Sequence, residues 1–201
     1  MPDEITITEL LPEHASAVAR LHIDGITTGF ISSLGADFVT ELYRCVATSE
    51  YGFGLVAVRG DKVVGFVAFT TSINALYRSI LLKKGIAFAF MLLPRLLTFK
   101  RIRNAFETLF YSARTRKAAL PEAELLAIAV AASARKQGVA AGLVREGFSL
   151  CSRRAIKRLR VLVAADNKPA NSLYRMCGFK FAEQITSHNV LSNIYIADIE
   201  A

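Results

Sequence analysis

Cysteine and histidine are scarce in this chain of 201 residues, and neither is arranged for metal chemistry. Cys45, Cys151 and Cys177 form no CxxC pair and have no metal-ligand spacing, which predicts reduced thiols and a cytoplasmic protein. His14, His22 and His188 are equally scattered, so no metal site is expected. No Gly-x-Ser-x-Gly elbow and no cysteine–histidine arrangement argues for hydrolysis. Charge is sparse at 21%, against a hydrophobic fraction of 53%. The N-terminal MPDEITITEL is acidic and then alternating, unlike a signal or transit peptide. With no internal repeat or low-complexity tract, the length fits one domain, 1–201, with a substantial core.

The net charge of +8 is concentrated in one segment. Residues 73–118 hold ten Lys/Arg (Arg78, Lys83, Lys84, Arg95, Lys100, Arg101, Arg103, Arg114, Arg116, Lys117) against Glu107, a local charge of +9. The remainder has fifteen bases and sixteen acids, or −1. The segment lacks strand alternation and reads as two helices broken near Pro94. Its longest uncharged run, Gly85 to Pro94, falls far short of the ~20 residues that span a bilayer. Two readings are open. One is a helical insertion packed on the domain or on a second subunit, with a solvated basic face. The other is a cationic surface for an anionic membrane or an anionic substrate, membrane-associated in the first case. No nucleic-acid recognition motif accompanies the charge, so nucleic acid is not expected as a partner.

The most informative stretch runs from Glu122 to Gly147. Leu125 to Val130 has the length and composition of a buried strand. A small-residue turn follows, then Arg135, Lys136, Gln137, Gly138, Val139 and Ala140. Val139, Leu143, Val144 and Phe148 then recur at helical spacing. A strand feeding a turn that opens a helix aims several backbone N–H groups at one spot, and the helix dipole adds to their attraction for phosphate. Gly138 lets the backbone approach a ligand closely. On residue types alone, a tight turn with solvated basic side chains explains the pattern as well.

The order Val130, four residues, Arg135-x-x-Gly138-x-Ala140 resembles the acetyl-CoA pyrophosphate loop of the GCN5-related N-acetyltransferases, with Ala132 where that family usually has proline. A second block, VLVAADNKPANSLYRMCGFKF from Val161, is similar to the next block of the family, with Asn167, Ala170, Tyr174, Gly178 and Phe179 at matching positions. The resemblance covers about residues 1–72 and 120–200. It implies an α/β fold with a mixed sheet, here carrying a helical insertion between strands 3 and 4.

The rest of the chain reads compatibly. Glu4 to Leu10 alternates as a first strand, and Pro12 opens a helix with Ala17, Val18 and Leu21 inward. GFISSLG, Gly29 to Gly35, is a loop whose serines read as helix caps. A helix over Asp37 to Thr48 follows, with Phe38, Leu42, Tyr43 and Val46 inward. Phe53 to Val58 and Val63 to Thr70 form a hairpin with one buried face. Leu159 to Ala165 is a strand, Asn167 to Cys177 a helix closed by Gly178, and a terminal hairpin ends the sheet.

The resemblance also implies a site. Backbone groups of Ile128, Ala129 and Val130 would pair with the pantetheine arm of acetyl-CoA where the family's parallel strands splay. Arg135, Lys136, Gln137, Gly138, Val139 and Ala140 would hold the pyrophosphate, with Asn167 and Ala170 also against the cofactor; a cap of the following helix is the other role of Asn167, and both can hold together. Tyr174 would protonate the leaving thiolate, a phenol being protonated at neutral pH; a core tyrosine is its other reading. Glu124, six residues before Val130, stands where histone-acetylating members carry a catalytic glutamate, and a solvated strand-start residue is its other reading. His22, Asp24 and His188 are further candidate bases. The loop at Phe30, Ser32 and Ser33 lies where the family forms its acceptor pocket. The expected activity is N-acetyl transfer to a primary amine of a small molecule, in a ternary complex. GFISSLGADFVTELY resembles members associated with cell-surface polysaccharide gene sets, pointing to an amino sugar. The rival expectation is a catalytically silent acyl-CoA-binding or membrane-docking module. An insertion this apolar also allows a homodimer.

Overall fold

The computed structural model describes residues 4–27, 31–92, 120–187 and 190–199. Its strands are β1 (Ile5–Glu9), β2 (Gly52–Arg59), β3 (Lys62–Thr70), β4 (Glu124–Val130), β5 (Arg158–Ala164), β6 (Lys180–Ser187) and β7 (Val190–Asp198). They form a seven-stranded sheet in the order β1-β2-β3-β4-β5-β7-β6. Every neighbouring pair is antiparallel except β4 and β5. The described helices are α1 (Ala15–Gly25), α2 (Ala36–Thr48), α3 (Ile73–Leu92), α4 (Val139–Arg153) and α5 (Lys168–Met176).

Helices cover both faces of the sheet. Val139, Leu143, Val144 and Leu150 of α4, with Tyr174 of α5, share one core with Phe69, Leu125, Leu159 and Val161. Val18 of α1, Val39 and Val46 of α2, and Leu76 and Ile80 of α3 share the other with Val56, Phe66, Ala68 and Ala129. The hairpin β2–β3 is therefore buried on both faces, not the single face its pattern suggests. Alternation is lost there because both sides of each strand meet helices, so both must be apolar. At Gly147 α4 comes so close to the sheet that a Cβ would collide with the Phe69 ring.

Two local expectations are corrected. The inward face of α1 is Ala15, Val18, Ala19 and His22; Val18 is inward as expected, but the face is rotated away from Ala17 and Leu21, which are half-buried. Tyr43 accounts for the rotation, since it offers the histidine a buried partner. Neither serine before α2 is its N-cap residue. Gly35, at φ 89°, is the N-cap, and the Ser32 hydroxyl donates to the Ile26 carbonyl at 2.5 Å, tying the loop to the end of α1. Residues 73–92 are helical as expected. The expected break at Pro94 and the helix beyond it lie outside the described residues.

Candidate active site

The site begins with an incomplete seam. Strand β3 pairs with β4 from Thr70↔Glu124 to Gly65↔Val130. Strand β5 pairs with β7 from Arg158↔Asp198 to Ala164↔Ser192. Between β4 and β5 only Glu124↔Arg160 and Leu125↔Val161 pair, and the strands then part. One extra residue, Leu126, sits in β4 at this point, where the register with β3 moves from Phe69↔Leu125 to Ala68↔Ala127. Such a bulge bends its strand and changes which way its backbone faces. The Ala131 N–H donates to the Val64 carbonyl at 2.8 Å, which with the register turns the Ala127 and Ala129 backbone groups toward β3. Those of Ile128 and Val130 face the gap.

The gap leads to the N-terminus of α4. After a short 3-10 turn at Ala132–Ala134, Arg135 is extended, Lys136 is left-handed at φ 59°, and Gly138 is left-handed at φ 78°. This alternation turns successive N–H groups inward, an anion-binding arrangement. No side chain caps α4, and a Cβ on Gly138 would meet nothing within 4 Å, so the space before the helix is open. Arg135 Nε donates to the Val130 carbonyl at 3.1 Å. Gln137 is held by its own Nε2 donating to the Ser133 carbonyl at 3.0 Å and by Arg59 Nη2 donating to its Oε1. Arg59 Nε has no hydrogen-bond partner among the described residues. Arg59 was hidden in the sequence because it sits at the end of a strand far upstream. Ala134 and Val139 are buried, whereas Lys136 and Gln137 are exposed.

Tyr174, on α5, is 4% exposed and lies edge-on to Phe179 with ring centroids 5.4 Å apart. Burial, and then the Cys177 thiol, push its phenol well above the usual tyrosine range, so it is protonated at neutral pH. Asn167 caps α5, accepting from the Ala170 N–H at 3.2 Å. One turn on, Asn171 does what the sequence reading missed. Its Nδ2 donates to the Ala164 and Asn167 carbonyls at 2.9 and 2.7 Å. Its Oδ1 accepts from Asn193 Nδ2 at 2.7 Å and the Tyr195 hydroxyl at 2.9 Å. The amide's full capacity is used, fixing α5, and Tyr174 with it, to the ends of β5 and β7. The spacing Asn167, Asn171, Tyr174 along one helical face was the available signal.

Glu124 lies at the closed end of the gap. Its neighbours Ala123 and Leu125 point into the α4–α5 core, so its side chain leaves from the opposite face. There Arg160 Nε and Nη2 both reach its Oε2 at 2.8 Å. Burial pushes the Glu124 carboxyl up, with the Arg160 charge and hydrogen bond pulling the other way. Tyr77 of α3 is close enough to feel it: burial first, then Glu124, raise its phenol to about 12. Glu124 and Tyr174 thus stand on opposite faces of the sheet, with the gap between them. His22 is buried on the Glu124 face. Its Nδ1 shares a 2.6 Å hydrogen bond with the Tyr43 hydroxyl, its Nε2 has no partner among the described residues, and burial lowers its pKa to about 4. Asp24 is exposed at the end of α1. Phe30 and His188 lie outside the described residues. No cluster of metal-ligating side chains occurs among the described residues.

Known structures share this architecture. An N-acetyltransferase from Staphylococcus aureus Mu50 superposes with a TM-score of 0.64 at 16% identity, covering 98% of this chain and 99% of its own. The ribosomal-protein-S18-alanine N-acetyltransferase from Escherichia coli gives 0.63 at 14% identity, with 98% and 96% coverage. Arabidopsis thaliana NAA60 in complex with acetyl-CoA gives 0.63 at 15% identity, with 98% and 100% coverage. No curated protein matches the chain by sequence. The model of the acetyltransferase (GNAT) family, however, matches residues 23–179. The split seam, the open helix terminus and that match together make this chain a member of the GNAT family, an N-acetyltransferase that uses acetyl-CoA as co-substrate.

Proposed function

We propose that the protein moves the acetyl group of acetyl-CoA directly to a primary amine of a small molecule, an amino sugar, in a ternary complex. The observation that carries this reading is the gap between β4 and β5, which ends at the uncapped terminus of α4. The donors and acceptors left along it suit a long amide-bearing ligand with a diphosphate at one end. Backbone groups of Ile128 and Val130, on either side of Ala129, would hold the pantetheine arm. The amides from Arg135 to Ala140, with the Arg135 and Lys136 charges, would hold the diphosphate. Asn167 spends its oxygen on capping, which leaves its amide nitrogen to reach the cofactor beside Ala170.

Bound acetyl-CoA supplies an activated acyl carbon and a thiolate leaving group. Tyr174 serves as the acid for that thiolate, supported by its raised pKa and by the Asn171 clamp. Glu124 serves as the base for the incoming ammonium, supported by a carboxyl whose pKa is raised by burial. Base and acid on opposite faces of the gap let an amine arrive from one side as the thiolate is protonated on the other.

The test is thiol release from acetyl-CoA against a panel of amino sugars, other small amines and a peptide with N-terminal alanine. The peptide is included because the Escherichia coli relative is named for ribosomal-protein alanine. Release with an amino sugar supports the proposal. Release with the peptide alone moves the acceptor class. Acetyl-CoA binding without acceptor-dependent release favours the silent module. Tyr174→Phe is expected to lower kcat by about 10²-fold or more with little change in acetyl-CoA affinity; unchanged turnover makes Tyr174 a core residue only.

A further inference from the structure

Helix α3 carries apolar side chains on both sides, more than a helix that only serves this domain needs. Leu76, Ile80 and Phe88 face inward, Phe88 against Phe38 of α2 with ring centroids 4.8 Å apart. On the outer side, Leu81, Leu82, Ile86 and Phe90 are 59%, 77%, 78% and 70% exposed. Leu82, Ile86 and Phe90 follow one another at four-residue intervals, so they form one stripe along the helix. Arg78, Lys83 and Lys84 are exposed on the same helix, which contains no Asp or Glu. Lys84 reaches Glu41 of α2 at 3.2 Å while its side chain stays 51% exposed.

We propose that this face of α3 rests on an anionic membrane surface, with Leu82, Ile86 and Phe90 at the headgroup boundary and Arg78 and Lys83 against lipid phosphates, Lys84 being turned toward Glu41. Charge decides among the occupants. A second copy would set one cationic stripe against another. Residues 93–119 of the same chain bring seven Lys/Arg and one acid, again the same sign. A bilayer rich in acidic headgroups offers both the opposite charge and an apolar interior, which suits an apolar stripe flanked by bases. The contact is peripheral, since no helix among the described residues is long and apolar enough to cross a membrane. This inference does not depend on the identity of the acceptor or on activity.

The experiment is co-sedimentation of the full chain with vesicles of phosphatidylcholine alone and of phosphatidylcholine mixed with phosphatidylglycerol. Partitioning is expected to favour the mixed vesicles by roughly 25-fold, about fivefold for each of the two cations, and to weaken as salt is raised. The triple variant Leu82→Ser, Ile86→Ser, Phe90→Ser is expected to lose binding with an unchanged Tm. Arg78→Gln with Lys83→Gln is expected to lose the preference for acidic lipid. Equal partitioning into both vesicles, or none, overturns the proposal. So does a triple variant that binds like the wild type. A lowered Tm in the triple variant, with no wild-type partitioning, assigns the face to the chain's own residues. A wild-type dimer by light scattering that the triple variant dissociates assigns it to a second copy.

Discussion

Strand β5 has two edges with different fates. Toward β7 it is zipped along its whole length, and toward β4 it holds for two residue pairs and then lets go. The strand itself is not weak, because Leu159, Val161 and Val163 are buried along it. The neighbour makes the difference. β4 carries an extra residue at Leu126 and runs on into the turn before α4, whereas β7 is a plain partner closed by a hairpin. Unpaired backbone inside a sheet costs stability, so its persistence at one seam marks where the fold expects a ligand to complete it.

The contrast can be attacked from either edge. At the open edge, Gly138→Asp should have the largest effect. Aspartate tolerates the left-handed backbone but places a carboxylate where a diphosphate would lie, so acetyl-CoA affinity should fall at least about 100-fold. Gly138→Asn is the control, losing less than about tenfold; equal losses by calorimetry would mean that shape, not charge, governs the site. At the closed edge, Asn171→Ala leaves groups of Asn193 and Tyr195 without their buried partner. It should cost about 3 kcal/mol, a fall of roughly 6–12 °C in Tm. Asn167→Ala loses one cap and should cost about 1 kcal/mol.

The α1 face provides a smaller, pH-dependent comparison. His22 has a pKa of about 4 when folded and near 6.5 when exposed, so the unfolded chain binds its proton more tightly. Stability should therefore fall as pH drops from 6.5 toward 4, by roughly 2 kcal/mol, and His22→Gln should flatten that limb. Denaturant titrations at several pH values would show it. Glu124→Gln should remove the acid limb of kcat/KM, since a base is lost as pH falls through its raised pKa. A limb that survives the substitution assigns it to another group.

Much of this architecture was legible in the chain. The seven strands and the loop at Arg135 to Ala140 announce themselves through local patterns: apolar runs, a hairpin turn, and a strand, small residues and helix in succession. What was hidden depended on partners distant in sequence. His22 turns inward because Tyr43 and Phe66 wait across the fold. Arg160 stands near the start of a strand with no sign of its partner, yet it is mostly buried against Glu124, a pairing fixed only by the strand register. The amide of Asn171 draws its importance from β7, which brings Asn193 and Tyr195 to it.

The bond from Arg135 to the Val130 carbonyl has an unobvious effect. This guanidinium uses one of the two lone pairs of a carbonyl that an incoming amide would also use, like a bookmark held between pages. An incoming amide would share that carbonyl or displace the guanidinium, and a displaced charge would become available to the diphosphate. Truncating Arg135 would remove an attraction and an obstacle together, so the net change in affinity should be far milder than the loss of a full positive charge suggests.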